Sequence, residues 1–133
     1  HNWEPYFIWM NMQGKTLKIF GCIGKEVRDG IDARDLVRAF SMFAEKPRPG
    51  EAYNMGGGRK NSISLLESFK LIEGITGKPM KWVLKPKREG DHQVYISDLN
   101  KFKSHYPKWD IQIDLETIFT AIYNWLIKYP PTA

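Results

Sequence analysis

The chain has 133 residues, 42% of them hydrophobic and 14% aromatic, with 20 Lys and Arg against 15 Asp and Glu for a formal charge of +5. That length holds one domain or a piece of a larger one, and the apolar content excludes both disorder and a disulfide-stapled miniprotein. The charge favours anionic partners without naming one, and the lone Cys22, which excludes an intramolecular disulfide, fits a cytoplasmic chain.

In chain order, Trp3 to Gln13 carries Tyr6, Phe7, Ile8, Trp9, Met10 and Met12, with Pro5 in a first turn and Gly14 as a stop, and reads as a short, heavily buried helix. Thr16 to Phe20 and Glu26 to Ile31 read as extended segments joined by a hairpin-like loop through Gly21-Cys22-Ile23-Gly24. Asp32 caps a helix in which Ala33, Leu36, Val37, Phe40, Phe43 and Ala44 recur at helical spacing, and Lys46-Pro47-Arg48-Pro49-Gly50 ends it. Glu51 to Met55 reads as a short strand. The run Gly56-Gly57-Gly58-Arg59-Lys60-Asn61 then turns the chain into a helix with the capping box Ser64-Leu65-Leu66-Glu67, a buried face of Leu65, Leu66, Phe69, Ile72 and Ile75, and Gly77 as its end. Met80 to Lys85 reads as a strand, Pro86 to His92 as a charged loop and Val94 to Ser97 as extended; Asp98 caps a short helix to about Tyr106. Asp114 caps the last helix, in which Leu115, Ile118, Phe119, Ile122, Tyr123 and Leu126 repeat at three and four before Pro130-Pro131. Helices and short strands interleave, an α/β arrangement in which several strands need further neighbours.

No stretch nears the roughly 18 apolar residues of a spanning helix, and no basic segment precedes the first apolar run, so neither a membrane partner nor a signal peptide is expected. The chain opens at His1 and not Met, which reads as a processed product or a fragment, natural or engineered. The three histidines, His1, His92 and His105, lie far apart with no second Cys beside them, and the pattern holds no zinc set. Cys22 sits in a glycine-flanked turn with no assisting histidine, and there is neither a Gly-x-Ser-x-Gly elbow nor a Walker motif. Three glycines before Arg59 and Lys60 can offer amides to a phosphate, but Asn61 stands where the last glycine of Gly-x-Gly-x-x-Gly belongs. A turn that needs unusual backbone angles is the better account of that run. Arg28 and Arg88 come from separate segments, and two planar guanidinium forks can clamp a diphosphate, with Asp91 free to accept from ribose hydroxyls. Spacing alone does not separate this from two solvated surface arginines.

Three stretches taken together decide more. Gly24-Lys25-Glu26-Val27-Arg28-Asp29 running on to Asp35-Leu36, Tyr53-Asn54-Met55-Gly56-Gly57-Gly58-Arg59-Lys60-Asn61-Ser62, and Arg88-Glu89-Gly90-Asp91-His92-Gln93-Val94-Tyr95-Ile96-Ser97-Asp98 resemble, in order, the C-terminal part of extended short-chain dehydrogenases/reductases, the NAD-dependent nucleotide-sugar epimerases and dehydratases. The second stretch looks especially like the CDP-paratose 2-epimerase (CDP-tyvelose epimerase) branch. The resemblance implies that residues 1–133 form a single substrate-binding portion, that Arg28 and Arg88 contact the pyrophosphate of a CDP- or UDP-linked sugar, and that Asp91 contacts its ribose. It further implies that Leu17, Lys18, Ile19 and Phe20 lie along the base, largely by backbone. Asp32 departs from the pattern, since many relatives have His there, which unsettles any contact peculiar to His.

The same resemblance implies an N-terminal Rossmann domain that holds NAD and supplies a Tyr-x-x-x-Lys pair, with homodimerisation through its helices. None of the six tyrosines here has a lysine four residues on. The expectation is therefore a piece with no catalytic residue and no cofactor of its own, with apolar surface that the missing lobe would cover. The alternative reading is a free-standing basic module that binds nucleotides or nucleic acid without catalysis. The lysines, from Lys15 to Lys108, are scattered along the chain, whereas a nucleic-acid binder concentrates its charge, so no nucleic-acid partner is expected.

Overall fold

Side-chain caps open three of the helices, at the positions that the sequence marks for them. The Asp32 carboxylate accepts from the Arg34 amide at 2.8 Å and starts α2 (Ala33–Glu45). Ser64 and Glu67 exchange the two bonds of a capping box at the start of α3 (Leu65–Thr76), and Gly77 closes that helix at φ +70°, in the left-handed region. Asp114 accepts from the Thr117 amide at 2.8 Å and starts α5 (Leu115–Lys128). The computed structural model describes residues 3–132; His1, weighed above as a zinc ligand and as a chain start, lies outside them. The remaining elements are α1 (Trp3–Met12), β1 (Thr16–Phe20), β2 (Val27–Asp29), β3 (Ser62–Ser64), β4 (Lys81–Lys85) and α4 (Asn100–His105). At α4 the carboxylate of Asp98 accepts from the Asn100 amide at 2.9 Å, but Leu99 occupies the cap position.

Strand pairing corrects two expectations. β1 does not fold back on the segment after it; it pairs in parallel with β4, from Thr16 opposite Lys81 to Phe20 opposite Lys85. The reason is in its alternation, since Leu17 and Ile19 point inward onto Phe69 of α3, so β1 takes its neighbour from the strand that follows α3. β2 pairs instead with β3, antiparallel, Arg28 lying opposite Ile63. Glu51 to Met55 is loop and not strand, because the Tyr53 ring packs among Phe43, Phe102 and Tyr106 and its hydroxyl meets His105 Nδ1 at 2.7 Å. Val94 to Ser97 is tied to β2 by one bridge, with Val27 bonded to Gln93 and Tyr95 on either side.

Three apolar clusters hold these pieces together. Ile8, Ile72, Leu115, Phe119 and Leu126 join α1, α3 and α5. Leu17, Ile19 and Phe69 seat β1 on α3, and Ala39, Leu99, Phe102, Tyr106, Trp109 and Ile111 form the floor beneath α2. Burial is uneven: α1, read as heavily buried, buries only Ile8 and Asn11 and leaves Tyr6 51% exposed, while α2 turns Val37 and Phe40 to solvent. What α2 buries instead is a carboxylate. Asp35 is fully buried; it accepts from the amides of Gln112 and Ile113 at 3.1 and 3.0 Å and pairs with Arg38, which also donates to the Asp110 carbonyl.

The glycine run leads into β3 before it reaches α3. Gly58 needs its positive φ of +61°, as the sequence implies, but Gly56 and Gly57 serve close approach: a Cβ on Gly57 would collide with the backbone carbonyl of Gly30.

Candidate functional site

β1 has a strand partner on one edge only, and three of its residues line a cavity of about 280 Å³. Lys18, Ile19 and Phe20 are consecutive and all line it, although neighbouring strand side chains point to opposite sides. Three consecutive lining residues are consistent with the strand meeting the cavity partly through its backbone, whose N–H and C=O groups can bond a planar ring. Leu17 is 1% exposed and anchors the strand from the core, and it does not line the cavity.

Three charged side chains from distant parts of the chain complete the wall. Arg28 arrives on β2, with one guanidinium nitrogen donating to the Val27 carbonyl at 2.8 Å. Arg88 and Asp91 arrive from the loop after β4, and the Arg88 guanidinium lies 3.7 Å over the centre of the Phe20 ring. Stacking of this kind orients the planar fork and holds the loop against the strand. Among the described residues neither Arg28 nor Arg88 is in an ion pair, so both positive charges are available to an anion. Of the residues that the resemblance assigns to a nucleotide sugar, all but Leu17 thus line one cavity.

The arrangement is held by Asp29, beside Arg28. Its Oδ2 accepts from the amides of Gly58 and Ser97, each at 2.9 Å, which ties β2 to the glycine turn and to the segment that follows Asp91. The Gly58 amide is consequently engaged within the chain and not offered to a phosphate, which goes against the phosphate-cradle reading of the glycine run. A second hollow, about 370 Å³, lies alongside and shares Trp3 and Arg28 with the first. Glu4 and Tyr95 also line it, and burial holds the Glu4 carboxyl above its ordinary value. Sequence reasoning missed Glu26, Trp3 and Phe7, whose only signal was proximity to Arg28 or membership of an apolar helix.

A larger cavity, about 580 Å³, lies elsewhere, between the glycine turn and α4. Of the charges that line it, Lys103 pairs with Asp110 at 2.8 Å and Lys60 donates to the Ile111 carbonyl at 2.8 Å. Among the described residues no group of three His, Cys, Asp or Glu is placed to hold a metal ion, and no helix is long and apolar enough to cross a membrane.

No family profile matches the chain. It is 34% identical over 104 residues to CDP-paratose 2-epimerase of Salmonella typhi, covering 77% of this chain and 30% of that protein. It is 31% identical over 111 residues to UDP-glucose 4-epimerase 4 of Oryza sativa, covering 80% and 29%. The chain thus spans about a third of the length of the curated relatives it matches. Among solved structures, UDP-glucose 4-epimerase of Thermotoga maritima with UDP-glucose superposes at a TM-score of 0.78 with 31% identity, over 92% of this chain and 38% of that one. The UDP-glucose 4-epimerase of Bifidobacterium longum with NAD+ and UDP gives 0.79 at 25% identity, over 97% and 40%.

Proposed function

From a chain that belongs to the extended short-chain dehydrogenases/reductases and has the fold of their C-terminal part, we propose a nucleotide-sugar-binding portion of an NAD-dependent epimerase of the CDP-paratose 2-epimerase kind, which inverts a sugar carbon by transient oxidation and re-reduction. The observation that carries this is the convergence of Arg28, Arg88, Asp91 and the open edge of β1 on one cavity. A diphosphate joins a nucleoside to a sugar, so its clamp must stand between the two. Arg28 does, being shared by the two hollows. In this reading the base lies on the backbone of Lys18 to Phe20, the ribose against Asp91, the diphosphate between Arg28 and Arg88, and the sugar toward Glu4 and Tyr95.

NAD belongs to the relatives' structures with bound cofactor. The residues present here do not fit it: the glycine turn binds Asp29 through the Gly58 amide and packs Gly57 against Gly30, which leaves no cradle for a pyrophosphate. In this reading NAD sits in a further lobe, together with the acid/base groups; the intact protein is a cytoplasmic homodimer, and this portion contributes binding without catalysis.

Titration calorimetry of the chain with CDP, UDP and inorganic pyrophosphate tests the reading. Either nucleotide should bind more tightly than pyrophosphate, and Arg28→Ala or Arg88→Ala should weaken it. Equal affinity for all three would mean a general basic surface and refute the site.

A further inference from the structure

Glu26 stands at the point where β1 leaves the cavity and the chain returns as β2. It lines the cavity with Phe20 and Arg28, yet it is only 6% exposed. One carboxylate oxygen, Oε1, accepts from the Cys22 amide and sits against Gly21, where a Cβ would collide with it. Gly21 holds φ +124°, so glycine is required there both for the backbone and for the space Glu26 occupies. The other oxygen, Oε2, is buried and accepts no hydrogen bond among the described residues. A buried acceptor left unmade is costly. Glu26 is among the residues that line the cavity, so a ligand seated there is a source for the donor that Oε2 lacks.

We propose that Glu26 is a specificity-determining residue that selects cytosine over uracil, by accepting a hydrogen bond from the exocyclic amino group of the base. The inference rests on the nucleotide reading of this cavity. In that reading the base lies along the backbone of Lys18 to Phe20, and the carboxylate that lines the same cavity is held by the amide of Cys22, two residues beyond Phe20. The two pyrimidines differ at ring position 4, where cytosine carries an amino donor and uracil a carbonyl acceptor. An ionised carboxylate accepts only, so it satisfies Oε2 with the first and faces the second lone pair to lone pair. Asp91 and the two arginines do not discriminate, because ribose and diphosphate are common to both ligands.

The test is calorimetry of the chain with three probes: CDP, UDP and the 2-pyrimidinone ribonucleoside diphosphate, which lacks any group at position 4. The expected order is CDP tightest, by about tenfold or more over UDP, the size of a lost charge-assisted hydrogen bond, with the unsubstituted probe between them. Glu26→Gln, whose amide can turn either its oxygen or its nitrogen to the base, should bring CDP and UDP to within about threefold. The pyrimidinone probe keeps the proposal testable on the unaltered chain should that variant fold poorly. Equal binding of CDP and UDP to the unaltered chain, both well above pyrophosphate, would overturn the role of Glu26 and leave the site intact. Failure of all three nucleotides to exceed pyrophosphate would overturn the site, and the proposal with it.

Discussion

Removing the carboxylate of Asp35 should unfasten α2 from the segment that leads into α5. Asp35 is fully buried and gathers three donors: the amides of Gln112 and Ile113 on Oδ2 and the Arg38 guanidinium on Oδ1, while its own carbonyl accepts from Trp109 Nε1 at 3.0 Å. In Asp35→Ala the backbone contact to Trp109 survives, but two amides lose a charged acceptor and Arg38, itself 30% exposed, keeps only the Asp110 carbonyl. Breaking a buried pair by deleting one partner costs about 3–5 kcal/mol. Against the roughly 5–15 kcal/mol by which a domain is stable, that is about a fifth of the total or more. Arg38→Ala leaves the two amide bonds in place and should cost about 1–2 kcal/mol, the amount for a partly exposed charged hydrogen bond. Urea denaturation followed by tryptophan fluorescence, which Trp109 reports directly, would measure both. A loss below about 1 kcal/mol for Asp35→Ala would refute the view that this carboxylate is a structural tie, since even one buried charge-assisted bond is worth more.

Other expectations are independent of that one. Arg88→Ala should weaken CDP or UDP binding by about 1.5–3 kcal/mol, read by calorimetry, and an unchanged affinity would remove Arg88 from the diphosphate. Asp114→Ala should cost about 1 kcal/mol of stability, as for a lost helix cap, and leave nucleotide affinity as it was; a loss of binding would mean that the site is misplaced. Gly57→Ala should destabilise the chain by more than about 2 kcal/mol, because its Cβ meets the fixed backbone of Gly30, and a neutral thermal melt would contradict that packing. Stability should also fall on acidification. Hydrogen bonds from Thr117 and Ser64 hold Asp114 and Glu67 below the ordinary carboxylate range, so their contribution is present above the unfolded value and lost as pH falls through the folded one. Glu4, raised by burial, works the other way and gains as pH falls, so an urea midpoint that rises steadily from about pH 6 to pH 3 would show that Glu4 outweighs the caps.

Local signals were the readable part of this sequence. The caps at Asp32, Ser64 and Asp114 and the stop at Gly77 depend on a few adjacent residues, and each lies where its residue type puts it. Pairing partners were less readable, because a strand of five residues carries no mark of which other strand it will meet; β1 was expected beside the segment after it and is found beside β4, 65 residues on. Burial misled at α2, whose apolar repeat includes the exposed Val37 and Phe40 while Asp35 goes inside, because the donors that stabilise Asp35 come from residues 112 and 113. For the site, Arg28, Arg88 and Asp91 were identified by resemblance, and neither period nor composition would have found them. Glu26 escaped notice because its only unusual property, an oxygen without a partner, exists once the chain has folded.

β4 has a consequence for handling the chain. All five of its residues are exposed, and the middle three, Trp82, Val83 and Leu84, are apolar, on a strand with one unpaired edge. Such an edge is a template on which a second chain can add a strand and begin to aggregate. Lys81 and Lys85 bracket it, and a positive charge at each end of a five-residue strand repels an identical copy in either orientation. That guard is electrostatic and weakens with salt, so concentrated solutions should cloud as ionic strength rises, and a Lys81→Ala, Lys85→Ala double variant should cloud at lower protein concentration, readable by light scattering.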